Sequence, residues 1–204
     1  MALKTLVKIS SVNNLSDARY GAGMGVGLMG FNLDTSNDHY INIDVFTEIT
    51  NWISGVKIVG EFGASDAQYI KDTLTNYPLD FVQVSDVNKV LEIKSANFPI
   101  ILKINPASYT DLVELKELLE SVKEHITYFL FESEDSKDIN IDYLLKLSAH
   151  YPMLLDAGVT MENLDYLTTQ SNIKGIAIKG GNEIQPGIRD FDEMADMLEF
   201  LEID

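Results

Sequence analysis

Short runs rich in Val, Ile, Leu and Phe recur along this chain about eight times, with helical stretches between them. That alternation constrains the fold more than any other feature, because parallel strands need a crossover and the crossover is usually a helix. The expected strands are Leu6–Ile9, Gly27–Phe31, Lys57–Glu61, Phe81–Val84, Ile100–Ile104, Tyr128–Phe131, Met153–Leu155 and Gly175–Ile178. Each is short and nearly all apolar, as strands buried on both faces should be. Eight units is the number that closes a (β/α)8 TIM barrel. We therefore expect an α/β fold with one such domain over residues 1–204 and no second core. An open doubly wound sheet is the rival, and only the number of units argues against it.

The intervening segments open on capping residues: Asn14 or Ser16 before 17–23, Ser65 before 66–76, Thr110 before 111–122 and Thr160 before 161–168. A final helix is expected over 190–201. In the fifth helix Leu112, Leu115, Leu118 and Leu119 read as one apolar stripe against the sheet. Gly21, Gly23, Gly25 and Gly27 suggest a dinucleotide fingerprint at first sight, but that motif follows a strand and opens a helix. These glycines end the first helix and begin the second strand, so they read as a cap and a tight turn.

Charge narrows the partners. The formal net charge is −17 with a sequence pI near 4.4, and such a field repels nucleic acid and anionic membrane surfaces. Cations are scarce, so an anionic ligand would need them gathered locally. The chain has no cysteine, and His39, His125 and His150 show no ligand spacing, so no metal is expected. No apolar run is long enough to span a bilayer and no leader pattern opens the sequence, which reads as cytoplasmic.

One segment speaks of a ligand. Ile178-Lys179-Gly180-Gly181-Asn182-Glu183 follows the last strand, where TIM barrels often bind phosphate through the loops after strands seven and eight. Adjacent glycines let backbone N–H groups approach an anion, and Lys179 adds a positive charge. Asp156-Ala157-Gly158-Val159-Thr160, after the seventh strand, adds a second glycine and a helix start aimed at the same place.

Several segments then match one family in order and spacing. Val7-Lys8-Ile9-Ser10-Ser11-Val12-Asn13-Asn14-Leu15-Ser16-Asp17-Ala18 resembles the Val-Lys-Ile-Cys-Gly-Ile-Thr-Asn-Leu-Glu-Asp-Ala opening of phosphoribosylanthranilate isomerases of tryptophan biosynthesis. Gly30-Phe31, Val59-Gly60-Glu61-Phe62, Asp80-Phe81-Val82-Gln83-Val84, the Gly158 loop with Glu162-Asn163, and Pro186-Gly187-Ile188-Arg189-Asp190 continue the resemblance. It implies an Amadori rearrangement of an N-phosphoribosyl arylamine, without a cofactor. A base removes the C2′ proton and an acid opens the ribose ring.

The resemblance places Ser10 at the catalytic base position, where the family has Cys, and Glu132 at the acid position, where it has Asp. It implies substrate contacts for Lys8, His39, Gln83, Lys103 and Asp156, with His39 standing where the family has Arg and Ser85 where it has His. Phosphate contacts fall to Gly158, Lys179, Gly180, Gly181, Asn182 and Arg189. A serine hydroxyl cannot accept a proton near neutral pH without a neighbouring base, so the base stays unresolved. Activity is therefore an open question at this point, and a barrel that binds a phosphometabolite or a protein without turnover is the alternative. Glu61 and Lys103, if both point inward, are expected to pair at the mouth. The expected partner is a phosphorylated small molecule, and the expected assembly a monomer or homodimer.

Overall fold

The computed structural model describes residues 2–109, 111–133, 141–180, 182–185, 188–190 and 192–203, with 182–185 and 188–190 described by their backbone. Eight parallel strands close in chain order: β1 (Leu6–Ser10), β2 (Leu28–Asn32), β3 (Lys57–Phe62), β4 (Phe81–Val84), β5 (Ile100–Ile104), β6 (Tyr128–Phe131), β7 (Met153–Leu155) and β8 (Gly175–Lys179). Closure comes from β1 pairing with β8 along its whole length, Leu6 opposite Gly175 through Ser10 opposite Lys179. The fold is the barrel, and the open sheet is excluded. Four strands have the expected bounds, and the other four differ by one residue.

Helices α1 (Leu15–Met24), α2 (Ile43–Thr50), α3 (Ala67–Asn76), α4 (Val87–Ile93), α5 (Leu112–Val122), α6 (Ile141–Ser148), α7 (Leu164–Gln170) and α8 (Asp192–Leu201) cover the outside. A short antiparallel hairpin, β9 (Asn182–Gln185) and β10 (Ile188–Asp190), follows β8, so α8 starts two residues later than the sequence suggests. No described helix is long and apolar enough to cross a membrane.

Capping chemistry corrects several expected starts. Asn14 caps α1 through the Asp17 N–H, as one of the two expected residues. Asp66 rather than Ser65 caps α3, and Asp111 caps α5, while Thr110 lies outside the described residues. Helix α7 begins at Leu164 rather than Met161, because Asn163 ties residues 158–163 into a turn. Its side chain donates to the Gly158 carbonyl at 2.8 Å and accepts from the Thr160 N–H at 2.9 Å.

The stripe on α5 is Leu115, Leu119 and Val122, all buried, at the i, i+4, i+7 spacing of one helix face. Leu112, expected in it, is exposed on the first turn and lines an open groove with Val113 and Tyr143. Gly25 is the left-handed C-cap of α1 with φ of +84°, as the cap reading required. Gly21 lets α1 lie against β1, since a Cβ there would come 2.4 Å from Ile9 Cδ1.

Two cores result from the strand alternation. Outward residues such as Ile9, Phe31, Phe129 and Phe131 pack under the helices, while Leu28, Val59, Ile101, Leu130, Leu154 and Ala177 fill the barrel interior. Leu6, Phe81 and Tyr128 pack against the interior cluster. Each interior residue also fixes what lies above it, because the next side chain on the same face is two residues further on.

Candidate active site

Stepping two residues from the interior apolar layer toward the strand C-termini gives one residue per strand: Lys8, Gly30, Glu61, Gln83, Lys103, Glu132, Asp156 and Lys179. Three lysines and three carboxylates thus form a ring above an apolar floor, with Ser10 one further step up β1. Six of these residues were expected at the site from the sequence, and Glu61 at the mouth. The signal that unites them is period-two: every apolar run but that of β2, which has Gly30, turns polar at this inward position, as in Val-Lys-Ile-Ser and Val-Gly-Glu-Phe. A cavity of about 530 Å³ opens over the ring, lined among others by Ser10, Asn32, Glu61, Gln83, Lys103, Glu132, Lys179 and Gly180.

The expected Glu61–Lys103 pair does not form. Glu61 pairs instead with Lys8, at 2.5 Å, and both are buried. Lys103 pairs with Glu132 at 3.3 Å. The reason is angular: Glu61 shares the mouth's β1–β3 side with Lys8, whereas Lys103 and Glu132 stand on adjacent strands. Gly30, between β1 and β3, makes the first pair fit. A Cβ there would lie 2.0 Å from Glu61 Oε1 and 2.9 Å from Lys8 Nζ.

Both oxygens of Glu61 are committed. Oε2 accepts from the Ser11 N–H at 3.0 Å and the Ser11 hydroxyl at 2.9 Å, and Ser11 holds a left-handed backbone with φ of +53°. Strain of that kind in a non-glycine residue persists where the surroundings fix it, and here two hydrogen bonds to Glu61 do. Lys8 Nζ also donates to Ser10 Oγ at 2.8 Å. Ser10 therefore sits as an acceptor beside an ammonium group that is itself ion-paired. The sequence singled out Ser10 but not Ser11, Asn32 or the Lys8–Glu61 connection.

Gln83 is buried, and its Oε1 has no hydrogen-bond partner among the described residues while the side chain lines the cavity. A buried acceptor left open costs about 1–3 kcal/mol, which a ligand O–H or N–H would relieve. His39 is exposed on the rim. Its loop is tied to the one after β3 by Asp34, which accepts from Ser36 N–H and Oγ and from the Ala64 N–H. Burial pushes the Asp34 carboxyl up, but those hydrogen bonds outweigh it and the net shift is down.

On the opposite side, Asp156 follows β7 as Glu132 follows β6, two residues above the paired Leu130 and Leu154. Burial, and then the Glu132 charge, push the Asp156 carboxyl up to about 6, against the pull of Lys179, Lys8 and the Ser133 N–H. Lys179 stands opposite Ser10, and the Gly180 N–H donates to the Ser10 carbonyl at 3.3 Å. Beneath Gly180 lies the buried Asp17 of α1, which sequence reasoning passed over; a Cβ on Gly180 would be 2.8 Å from Asp17 Oδ2. Gly158 is left-handed with φ of +75°. Gly181 lies outside the described residues, and Asn182 and Arg189 fall in β9 and β10, described by backbone.

Residues 26–200 match the sequence profile of N-(5′-phosphoribosyl)anthranilate (PRA) isomerase. An N-(5′-phosphoribosyl)anthranilate isomerase of Maridesulfovibrio salexigens is 25% identical over 199 residues, covering 95% of this chain and 96% of that protein. Among solved structures, the phosphoribosyl anthranilate isomerase of Thermotoga maritima superposes with a TM-score of 0.76 at 20% identity, over 96% of this chain and 97% of the other. A phosphoribosyl anthranilate isomerase in complex with reduced 1-(o-carboxyphenylamino)-1-deoxyribulose 5-phosphate gives a TM-score of 0.74 at 20% identity, with the same coverage of 96% and 97%.

Proposed function

Because the chain belongs to the N-(5′-phosphoribosyl)anthranilate isomerase family, we propose that its mouth binds a phosphorylated ribose-type ligand. The phosphate lies toward the ends of β7 and β8, near Gly158, Lys179 and Gly180, and the sugar lies over the polar ring. One observation carries this reading. In a chain of net charge −17, three lysines converge on one ring at the barrel mouth, and Lys179 beside Gly180 is the one that does not appear in an ion pair among the described contacts. The structural relative named above is in complex with a ribulose 5-phosphate derivative, a ligand of the same chemistry.

The reaction class is aldose–ketose isomerisation, and rapid turnover of phosphoribosylanthranilate itself is not part of this proposal. Ser10 at the base position accepts a hydrogen bond from Lys8, and Glu61 is held by Lys8 through one oxygen and by Ser11 through the other. A serine hydroxyl does not accept a proton near neutral pH without a base beside it. That arrangement favours a second reading, in which the ligand is bound without turnover.

Calorimetric titration with ribose 5-phosphate tests the binding. One site is expected, weakening as salt screens the lysines. Lys179→Met should weaken it about 10- to 100-fold, the worth of a charge-assisted hydrogen bond of about 1.5–3 kcal/mol. Lys179 is exposed, so that change leaves the fold alone. Equal affinity for Lys179→Met and wild type would remove the phosphate from this end of the barrel.

A further inference from the structure

We infer that Asp156 is the base that abstracts the C2 proton of a phosphorylated aldose in this site, and that Glu132, held in its ion pair with Lys103, is the residue that positions and tunes it. The inference rests on the binding reading above and goes beyond it by assigning the proton transfer that Ser10 leaves vacant.

Geometry singles out Asp156 among the carboxylates of the ring. Glu61 is held between Lys8 on one oxygen and Ser11 on the other. Glu132 carries the ion pair with Lys103 at 3.3 Å. Asp156 makes no ion pair within 4 Å among the described contacts, is partly accessible, and sits between Glu132 and Lys179, both of which line the cavity. Its position at the end of β7 also places it beside the Gly158 turn, so a sugar whose phosphate rests there carries its first carbons toward the ring. A carboxylate crowded by a second carboxylate and partly removed from water holds a proton more tightly, which makes it a stronger base. The groups that face it are Glu132 from β6, Lys179 from β8 and Lys8 from β1, with Lys103 and Glu61 behind them as partners.

The step balances without a cofactor. Asp156 takes the proton from C2 of the open-chain aldose, and the C2–H electron pair becomes the C1–C2 double bond while the C1 oxygen takes a proton from water at the mouth. The proton on Asp156 then goes to C1, and the C2 hydroxyl returns one proton to water as its oxygen becomes the ketone. No atom is gained or lost, and C1 is reduced as C2 is oxidised.

Ribose 5-phosphate in heavy water, followed by proton NMR at C2, reads this step independently of any arylamine. Wild-type protein should catalyse loss of the C2 proton signal, with a rate that rises through about pH 6 to a plateau as Asp156 ionises. Asp156→Asn should lose about 100-fold or more of that rate, the usual worth of a general base, with the dissociation constant changed less than threefold. Glu132→Gln should move the inflection to lower pH, a shift that a merely structural role would not produce. Binding of ribose 5-phosphate without C2 exchange, exchange that survives Asp156→Asn, or an inflection unmoved by Glu132→Gln would each overturn the assignment while leaving the binding reading intact. Failure to bind ribose 5-phosphate would instead overturn both.

Discussion

Wild-type protein is expected to turn over phosphoribosylanthranilate at least about 100-fold more slowly than its Ser10→Cys variant. The expectation follows from what surrounds position 10. A serine hydroxyl does not titrate near neutral pH, and here its oxygen already accepts from the Lys8 ammonium at 2.8 Å. A thiol in the same place gains from the same neighbour, because an adjacent cation favours the thiolate. Lys8 thus gives the serine no proton acceptor and would prepare a cysteine as a base. The assay is loss of the fluorescence of the anthranilate substrate, with rescue of an isomerase-deficient tryptophan auxotroph as a cellular check. A Ser10→Cys variant no faster than wild type would show that position 10 does not supply the base for this substrate.

Lys8→Met is expected to destabilise the fold by about 3–5 kcal/mol, the cost of leaving a buried carboxylate without its partner. For a domain of this size that lowers Tm by on the order of 10 °C. Lys8 has no exposed surface and Glu61 has 5%, so the pair is largely removed from solvent. Adding Glu61→Gln removes the charge but keeps an oxygen for the two Ser11 donors, so the double variant should recover most of the loss. Urea denaturation of the four proteins at pH 7 measures both effects. A single and a double variant of equal stability would mean that Glu61 finds another counter-charge.

The strands were legible because burial on both faces leaves a plain signature, a run of large apolar residues bounded by turns. Residue types at the mouth were legible too: Lys8, Ser10, Gln83, Lys103, Glu132, Asp156 and Lys179 all end up at the C-terminal end of the barrel. Pairing was not. Whether Glu61 meets Lys8 or Lys103 depends on angles around the closed barrel and on Gly30 lacking a side chain, which a linear reading cannot supply. The special character of Asp156 was hidden for the same reason, since it comes from Glu132, 24 positions earlier but on the adjacent strand. Capping residues were misplaced by one position where an acidic residue stood directly after the expected one, as with Ser65 and Asp66.

A crystal structure of the protein soaked with ribose 5-phosphate locates the phosphorylated sugar directly. The phosphorus atom is expected beside Gly158, Lys179 and Gly180, the sugar over the polar ring, and C2 within reach of the Asp156 carboxylate. A phosphate found instead in the neighbouring cavity lined by Asn105, Ser108 and Tyr109, with the ring beneath Gly180 empty, would contradict it.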